Sequence, residues 1–525
     1  MPLKFHKLTW DHAVQRAAVV AIVCAVGCPA STPSVDLLHD DGSPPETQRL
    51  EDSGESGTKA ESATYGAAIS SASSKPSVGL VKLAGGGTDR QKSSRITSHP
   101  SLAATVFRPS DIRPRHNDRY LAQIGIFKYE SVRLKLYSDI DPKNAKTLPL
   151  LMDQAYDAWV EYFGPLPPNR ERTEYQLTGY IIANKTLFKR AGLLPHDLPQ
   201  FLHGRHRGAE FWMNDQAHDY YRRHLMIHEG THCFMTTMSS MGAPIWYMEG
   251  IAELFGGHWF DKTGKAHFRV MPHNVPDFAG FGRIIIIQQE VKARGYRTLQ
   301  QVTSLRLKDS LRIESYAWSW ALCKFLDTHP RYRDRFRELG RCTTDSKFKA
   351  AFRKLFNPEL PRIWTEWPVF ATNLVHGYDF ERSAIDFREG MRLGDRGVAN
   401  RIEIVADRSW QSSGIRVEKG CAYEVTASGQ FTVAQKPIPW ISKPNGITFR
   451  YYQGRPLGLL VAAVRTNSPS GDPGRESMLH VIVIGNKKRF IAQTMGTLYF
   501  RVNDFPSELA NNSGKVLIVV RKSPS

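Results

Sequence analysis

An α+β domain followed by an all-β sandwich is the architecture that this chain of 525 residues predicts. Two observations carry that reading. Helical apolar spacing and strand-like alternation are mixed as far as about Ala384, and from about Arg401 only short alternating strands remain, separated by Gly, Pro and Asn turns. The length leaves room for two folded domains, and a hydrophobic content of 41% with 11% aromatics is enough to give each a core. A net charge of +19 favours acidic partners. Lys and Arg are nevertheless spread along the chain, with no basic run or nucleic-acid motif, so no nucleic-acid partner is expected.

Taken in chain order, residues 1–28 read as a signal peptide. Lys4, Lys7 and Arg16 precede an apolar run from Ala17 to Cys28 that is too short to span a bilayer, which predicts export. The "AVGC" ending at Cys28 suits a lipoprotein signal, so lipidation of Cys28 and plain cleavage both stand open, and lipid there is the one expected link to a membrane. Residues 29–105, rich in Ser, Gly, Pro, Asp and Lys, read as a disordered tether. None of the 6 cysteines forms a CxxC pair, which argues against a cysteine zinc site and against a dense disulfide framework.

The α+β domain is placed at 106–390. Alternation at Val132, Leu134 and Leu136 predicts strands, "KTLPLLMDQAYDAWVEYFG" predicts a helix, and "YQLTGYIIAN" predicts another strand. "GAEFWMND" reads as an edge strand suited to pairing with an extended peptide. "RRHLMIHEGTHCFMTT" then reads as a helix. His228 and His232, at i and i+4, share one face of it and can turn ring nitrogens towards one metal ion, with Glu229 beside them. Zn²⁺ with an open position acidifies bound water, and a neighbouring carboxylate can take the proton, so His-Glu-x-x-His supplies two ligands and a base. Gly230 costs about 1 kcal/mol inside such a helix, an inconsistency that functional sites tolerate.

A third ligand is needed. Met235 and Met238 stand where Gly and His would continue the motif on the same helix, so it must come from elsewhere. In "GAPIWYMEGIAELFGG", Pro244 suits a helix start, Gly256 and Gly257 suit a stop, and Glu249 and Glu253 share a face. The 16 residues between His232 and Glu249 give room for a turn and a second helix lying back across the first.

With "IWYMEGIAEL" following the histidine motif, the region from about Tyr120 to Ala384 resembles the gluzincins, peptidase MA-like zinc metallopeptidases. The resemblance implies a zincin-like α+β fold, zinc held by His228, His232 and Glu249, and Glu253 as a carboxylate that orients a ligand histidine. It also implies Glu229 as general base and Tyr316, in "IESYAWSWALCKFL", as hydrogen-bond donor to the tetrahedral intermediate of a protein or peptide substrate. His203, His206, His218, His224 and His258 are read as surface or cleft residues.

The sandwich is placed at 400–525, with strands in "RIEIVAD", "CAYEVTASGQFTV", "GITFRYYQG", "LGLLVAAV", "LHVIVIG", "GTLYFRVND" and "GKVLIVVRK". In "TLYFRVN", Leu498, Phe500 and Val502 are expected to be buried and Tyr499, Arg501 and Asn503 to face outwards. The run "GTLYFRVNDFPSELANNSGKVLIVV" resembles the PA-IL-like galactose-binding lectins. It implies a Ca²⁺ site using Asp504, Asn511 and Asn512, with main-chain oxygens near Glu508 and Val433, and a glycan or cell-envelope polymer as partner. "ISKPNGITF" lacks that family's sugar-binding histidine and glutamine, which sets galactose itself apart from the expectation. The whole reads as an exported zinc metallopeptidase of a bacterium: secreted, periplasmic or anchored at the outer membrane. Two alternatives are a non-catalytic envelope or glycan-binding protein with a degenerate peptidase domain, and a zinc hydrolase of non-peptide amides or esters.

Overall fold

The structure, a computed structural model, describes residues 107–109, 114–238, 242–306, 312–341, 345–393, 400–466 and 476–523. The expected signal peptide, the lipidation site at Cys28 and the tether lie outside the described residues. Among the described residues no helix is long and apolar enough to cross a membrane.

The first half is built on a sheet of β1 (Phe127–Glu130), β2 (Leu134–Ser138), β3 (Leu177–Ile182), β4 (Gly204–Arg207) and β5 (Glu210–Asn214), in the spatial order β1-β2-β3-β5-β4. The pairs β2–β3 and β3–β5 are parallel, and the outer pairs β1–β2 and β4–β5 are antiparallel. Every residue of β3 is buried, as a central strand covered on both faces must be. Two expectations need correcting. Val132 lies in the turn between β1 and β2 and is 60% exposed, because alternation runs on through a tight turn without making it a strand. The strand in "GAEFWMND" has β3 on one side and β4 on the other, so both of its edges are taken and the free edge belongs to β4.

Six helices matter for the site: α1 (Leu148–Phe163), α2 (Asp219–Thr237), α3 (Ile245–Gly256), α4 (Arg283–Arg294), α5 (Ile313–Thr328) and α6 (Leu360–Asn373). Helix α2 packs against α1, α3, β4 and β5, and is buried along most of its length. Gly230 has a steric reason within it. A Cβ there would stand 2.9 Å from Met152 and Trp159, where α1 crosses. Gly250 does the same for α3, since its Cβ would meet Cys323 Sγ at 2.4 Å and Ser319 O at 2.5 Å on α5. These close crossings fix α2, α3 and α5 against one another. A hairpin of β6 (His258–Phe260) and β7 (Ala266–Phe268) follows α3.

The second half is two facing sheets. One runs β14 (Asn445–Tyr452), β15 (Arg455–Arg465), β18 (Gly496–Val502), β10 (Gln411–Val417) and β8 (Met391–Arg392), with β16 (Ile482–Val483) beside β15. The other runs β13 (Trp440–Ser442), β12 (Phe431–Ala434), β19 (Ser513–Lys522), β11 (Ala422–Ser428) and β17 (Lys487–Ile491), with β9 (Asn400–Val405) beside β19. Val425, Val433, Leu460, Phe500 and Ile518 fill the space between them. The stretch "LHVIVIG" yields only the two-residue β16 after a 3₁₀ turn at Ser477–Leu479.

The expected outward face of β18 is buried. Tyr499 is 0% exposed and Arg501 6%, because that face meets the helical half, and Asn503 is 0% exposed because its amide donates to Tyr452 O, Arg455 O and Pro456 O at the turn between β14 and β15. Tyr499, Trp410, Leu459 and Val461 form one cluster with Val369 and Ile385, and the Arg501 guanidinium lies over the Trp410 ring. Tyr452 Oη donates to Asn373 Oδ1 at 2.6 Å, and Asp379 N donates to Pro506 O at 3.1 Å. All described residues fall within one compact unit.

Candidate metal centre

Helix α2 presents His228 and His232, and α3, folded back across it, presents Glu249. His228 Nε2 and His232 Nε2 are 3.1 Å apart, and Glu249 Oε2 lies 3.6 and 3.5 Å from them. Three ligand atoms about 2.0–2.2 Å from one tetrahedral zinc are separated by about 3.3–3.5 Å, so the triangle has the right size. All three side chains are buried, and neither Glu249 oxygen accepts a hydrogen bond. Two ring nitrogens and a carboxylate oxygen are the donor set that such an ion takes.

The electrostatics point the same way. Burial, with the charge of His232 beside it, holds His228 well below the usual histidine range, so it is a neutral ring with a lone pair to offer. At His232 burial also pulls down, but Glu249, Glu229 and Glu253 outweigh it and raise the ring. A site whose carboxylates draw a proton onto a buried imidazole is one that favours a cation.

Behind the triangle stands Glu253, one turn beyond Glu249 on α3. Its Oε1 faces His228 Nδ1 at 3.4 Å, and its Oε2 faces His224 Nε2 at 3.2 Å. Arg283 on α4 grips it from the other side, Nη2 donating to Oε1 at 2.7 Å and Nε to Oε2 at 2.9 Å. Burial would raise the Glu253 carboxyl, yet Arg283 and His224 outweigh it and hold it well below the usual range. Glu253 thus stands between His228, His224 and Arg283.

Glu229 is 1% exposed and turns towards β4, where His206 Nδ1 is 3.5 Å from its Oε2. Tyr316 on α5 is buried beside the centre, its ring 6.3 Å from that of His228. The further histidines divide. His218 is exposed, but His206, His224 and His258 are buried, which corrects their reading as surface or cleft residues. His258 is engaged at both nitrogens, donating from Nδ1 to Gly256 O at 2.8 Å and accepting from Arg223 at Nε2 at 3.2 Å. Burial lowers it to about 3, with Gly256 opposing and Arg223 adding to the fall. His224 was legible, standing four residues before His228 on the same face. Arg283, in "FGRIIIIQQE", carries no such signal.

Asp504 and Asn512 meet at a separate place, next to the turn at Leu509–Asn511 against which β12 packs, and Asn511 closes that turn. Asp504 accepts from Phe505 N at 2.6 Å and from Asn512 Nδ2 at 2.8 Å. Burial pushes its carboxyl up to about 6, with those hydrogen bonds opposing. The amide oxygens of Asn511 and Asn512 are buried and accept no hydrogen bond.

No family model matches this chain, and no curated protein matches it. Among solved structures, a chain described as "EclA N-terminal domain; PllA-like lectin" aligns at 19% identity over 25% of this chain and 100% of its own, with a TM-score of 0.19. A likeness that slight assigns neither fold nor ligand.

Proposed function

We propose that this chain is an exported zinc-dependent hydrolase of peptide bonds whose C-terminal sandwich binds calcium and docks on glycan or another envelope polymer. The observation that carries the hydrolase reading is the triangle of His228 Nε2, His232 Nε2 and Glu249 Oε2, with sides of 3.1, 3.5 and 3.6 Å. A zinc ion bound there supplies Lewis acidity to a carbonyl and lowers the pKa of water. Glu229, buried next to that triangle, takes the proton of the attacking water and passes it to the leaving nitrogen. Glu253, fixed by Arg283 and His224, orients the His228 ring through its carboxylate oxygen, 3.4 Å from Nδ1. Tyr316 is the donor to the oxygen that gains charge. An extended peptide pairs with the free edge of β4, which runs past Glu229.

The calcium reading is supported by the buried Asp504 carboxylate in contact with Asn512, and by the buried amide oxygens of Asn511 and Asn512 that have no donor, since oxygen ligands suit that ion. The glycan reading rests on the sequence phrase from Gly496 to Val520. Metal content by elemental mass spectrometry on the chain from Ser31 onward is the test of the hydrolase reading, with His228→Ala as control. One zinc per chain, lost in the control, is expected, and absence of zinc from the unsubstituted protein sinks it.

A further inference from the structure

Strand β4 sets Gly204 and His206 on one face, two residues apart, and that face looks onto Glu229 of α2. A Cβ at residue 204 would lie 2.4 Å from Glu229 Oε1, closer than real Cβ atoms approach, and a tight 3.0 Å from its Cδ and Cγ. The backbone does not ask for glycine there, because Gly204 is not among the residues with positive φ. Glycine inside a strand weakens it. The three atoms nearest to that position all belong to Glu229, whose side chain is thus the first thing a Cβ would meet.

His206 sits on the other side of the same carboxylate. It is 4% exposed, with Nδ1 3.5 Å from Glu229 Oε2 and its ring stacked on His232 at 4.7 Å and 18°. Nε2 has no hydrogen-bond partner, and Nδ1 has none besides its approach to Oε2, which at 3.5 Å is longer than a formed hydrogen bond. Leaving two buried nitrogens unpaired is unfavourable, and a leucine would fill such a place without that cost.

We propose that Gly204 and His206 are positioning residues that seat Glu229, the first by leaving room for Oε1 and the second by presenting Nδ1–H to Oε2. The kinetic consequence rests on Glu229 being the base of the reaction proposed above, whereas the seat itself is a matter of space and polarity in the folded chain.

The steric half is tested on the full chain, freed of metal with a chelator, by thermal melting of Gly204→Ala, Glu229→Ala and the double variant. Gly204→Ala is expected to lower the midpoint by more than about 3 °C in the parent and to leave it unchanged or raise it once Glu229 is truncated. The same loss in both backgrounds overturns the seat, as does no loss in the parent. Should Gly204→Ala fail to fold, the double variant must fold, and failure of both counts against the proposal. For His206, zinc content and turnover are measured together. His206→Leu is expected to keep its zinc and lose kcat by about tenfold or more with KM within about twofold, and His206→Asn, whose amide mimics Nδ1–H, to recover most of the loss. Full turnover by the leucine variant, or equal loss in both, removes His206 from the seat. If the unsubstituted protein holds no zinc and cleaves no peptide, the hydrolase reading falls while the melting comparison still decides the steric half.

Discussion

Glu253 and Arg283 form a buried ion pair whose members each depend on the other. Removing the cation leaves a carboxylate at 1% exposure with only imidazoles beside it, so Arg283→Met is expected to cost about 3–5 kcal/mol, read by denaturant unfolding. Glu229→Gln should behave otherwise. It leaves the three ligand atoms in place, so zinc content is expected to stay at the parental value while turnover drops by about 10²–10⁴-fold; normal turnover removes Glu229 from the role of base. Glu249→Ala is expected to release the metal, and undiminished zinc there would reassign the third ligand.

Lys324 gives a pH signature away from the centre. Burial, against the pull of Asp327, lowers its ammonium to about 8, and its Nζ donates to Arg269 O. The unfolded chain, near 10.4, then binds more protons than the fold between those values, so stability rises with pH from about 8 to about 10. Lys324→Met should abolish that rise in melts across this window. At this scale His228, Glu229, His232 and Glu249 were legible because one helical turn and one return helix encode their meeting. Arg283 and His206 were not, since their contacts exist only after α4 and β4 have packed.

Among the elements, α3 is fixed by what it lacks. Gly250→Ala places a methyl against Ser319 O and Cys323 Sγ, one of them rigid backbone, and is expected to cost about 1–3 kcal/mol with loss of zinc affinity as α3 and Glu249 shift. Parental stability together with parental metal content would show that the α3–α5 crossing has slack. Helices α1, α2 and α3 could be read from apolar spacing, and α3 also from its proline and glycine boundaries. Strand β17 could not, because "KKRFI" carries three cations on a sheet edge, where charge protects rather than disqualifies a strand. The edge position of β4 was hidden for a related reason: "GRHR" has almost no apolar signal, and its neighbour "GAEFWMND" has a strong one.

For the whole molecule, the division into an α+β half and a β half was visible in the change of texture near Arg401. Their docking was not. Tyr499, Arg501 and Asn503 alternate with the core residues of β18 as an outward face would, and only the tertiary structure buries them, Tyr499 against α6 and the segment after it and Asn503 against the turn between β14 and β15. A fragment ending at residue 390 exposes Val369 and Ile385, and is expected to melt several degrees below the full chain, which should itself unfold in one calorimetric transition. Two resolved transitions in the full chain would mean that the junction contributes little.

The loop that holds Asp504 continues into Pro506, which is bonded to Asp379 of the helical half. On the proposed reading, that bond makes the molecule a pair of dividers set to one opening. Whatever the sandwich grasps is held at a constant span from the scissile bond, so cleavage would be selected by distance along a polymer as much as by the side chains flanking the cut.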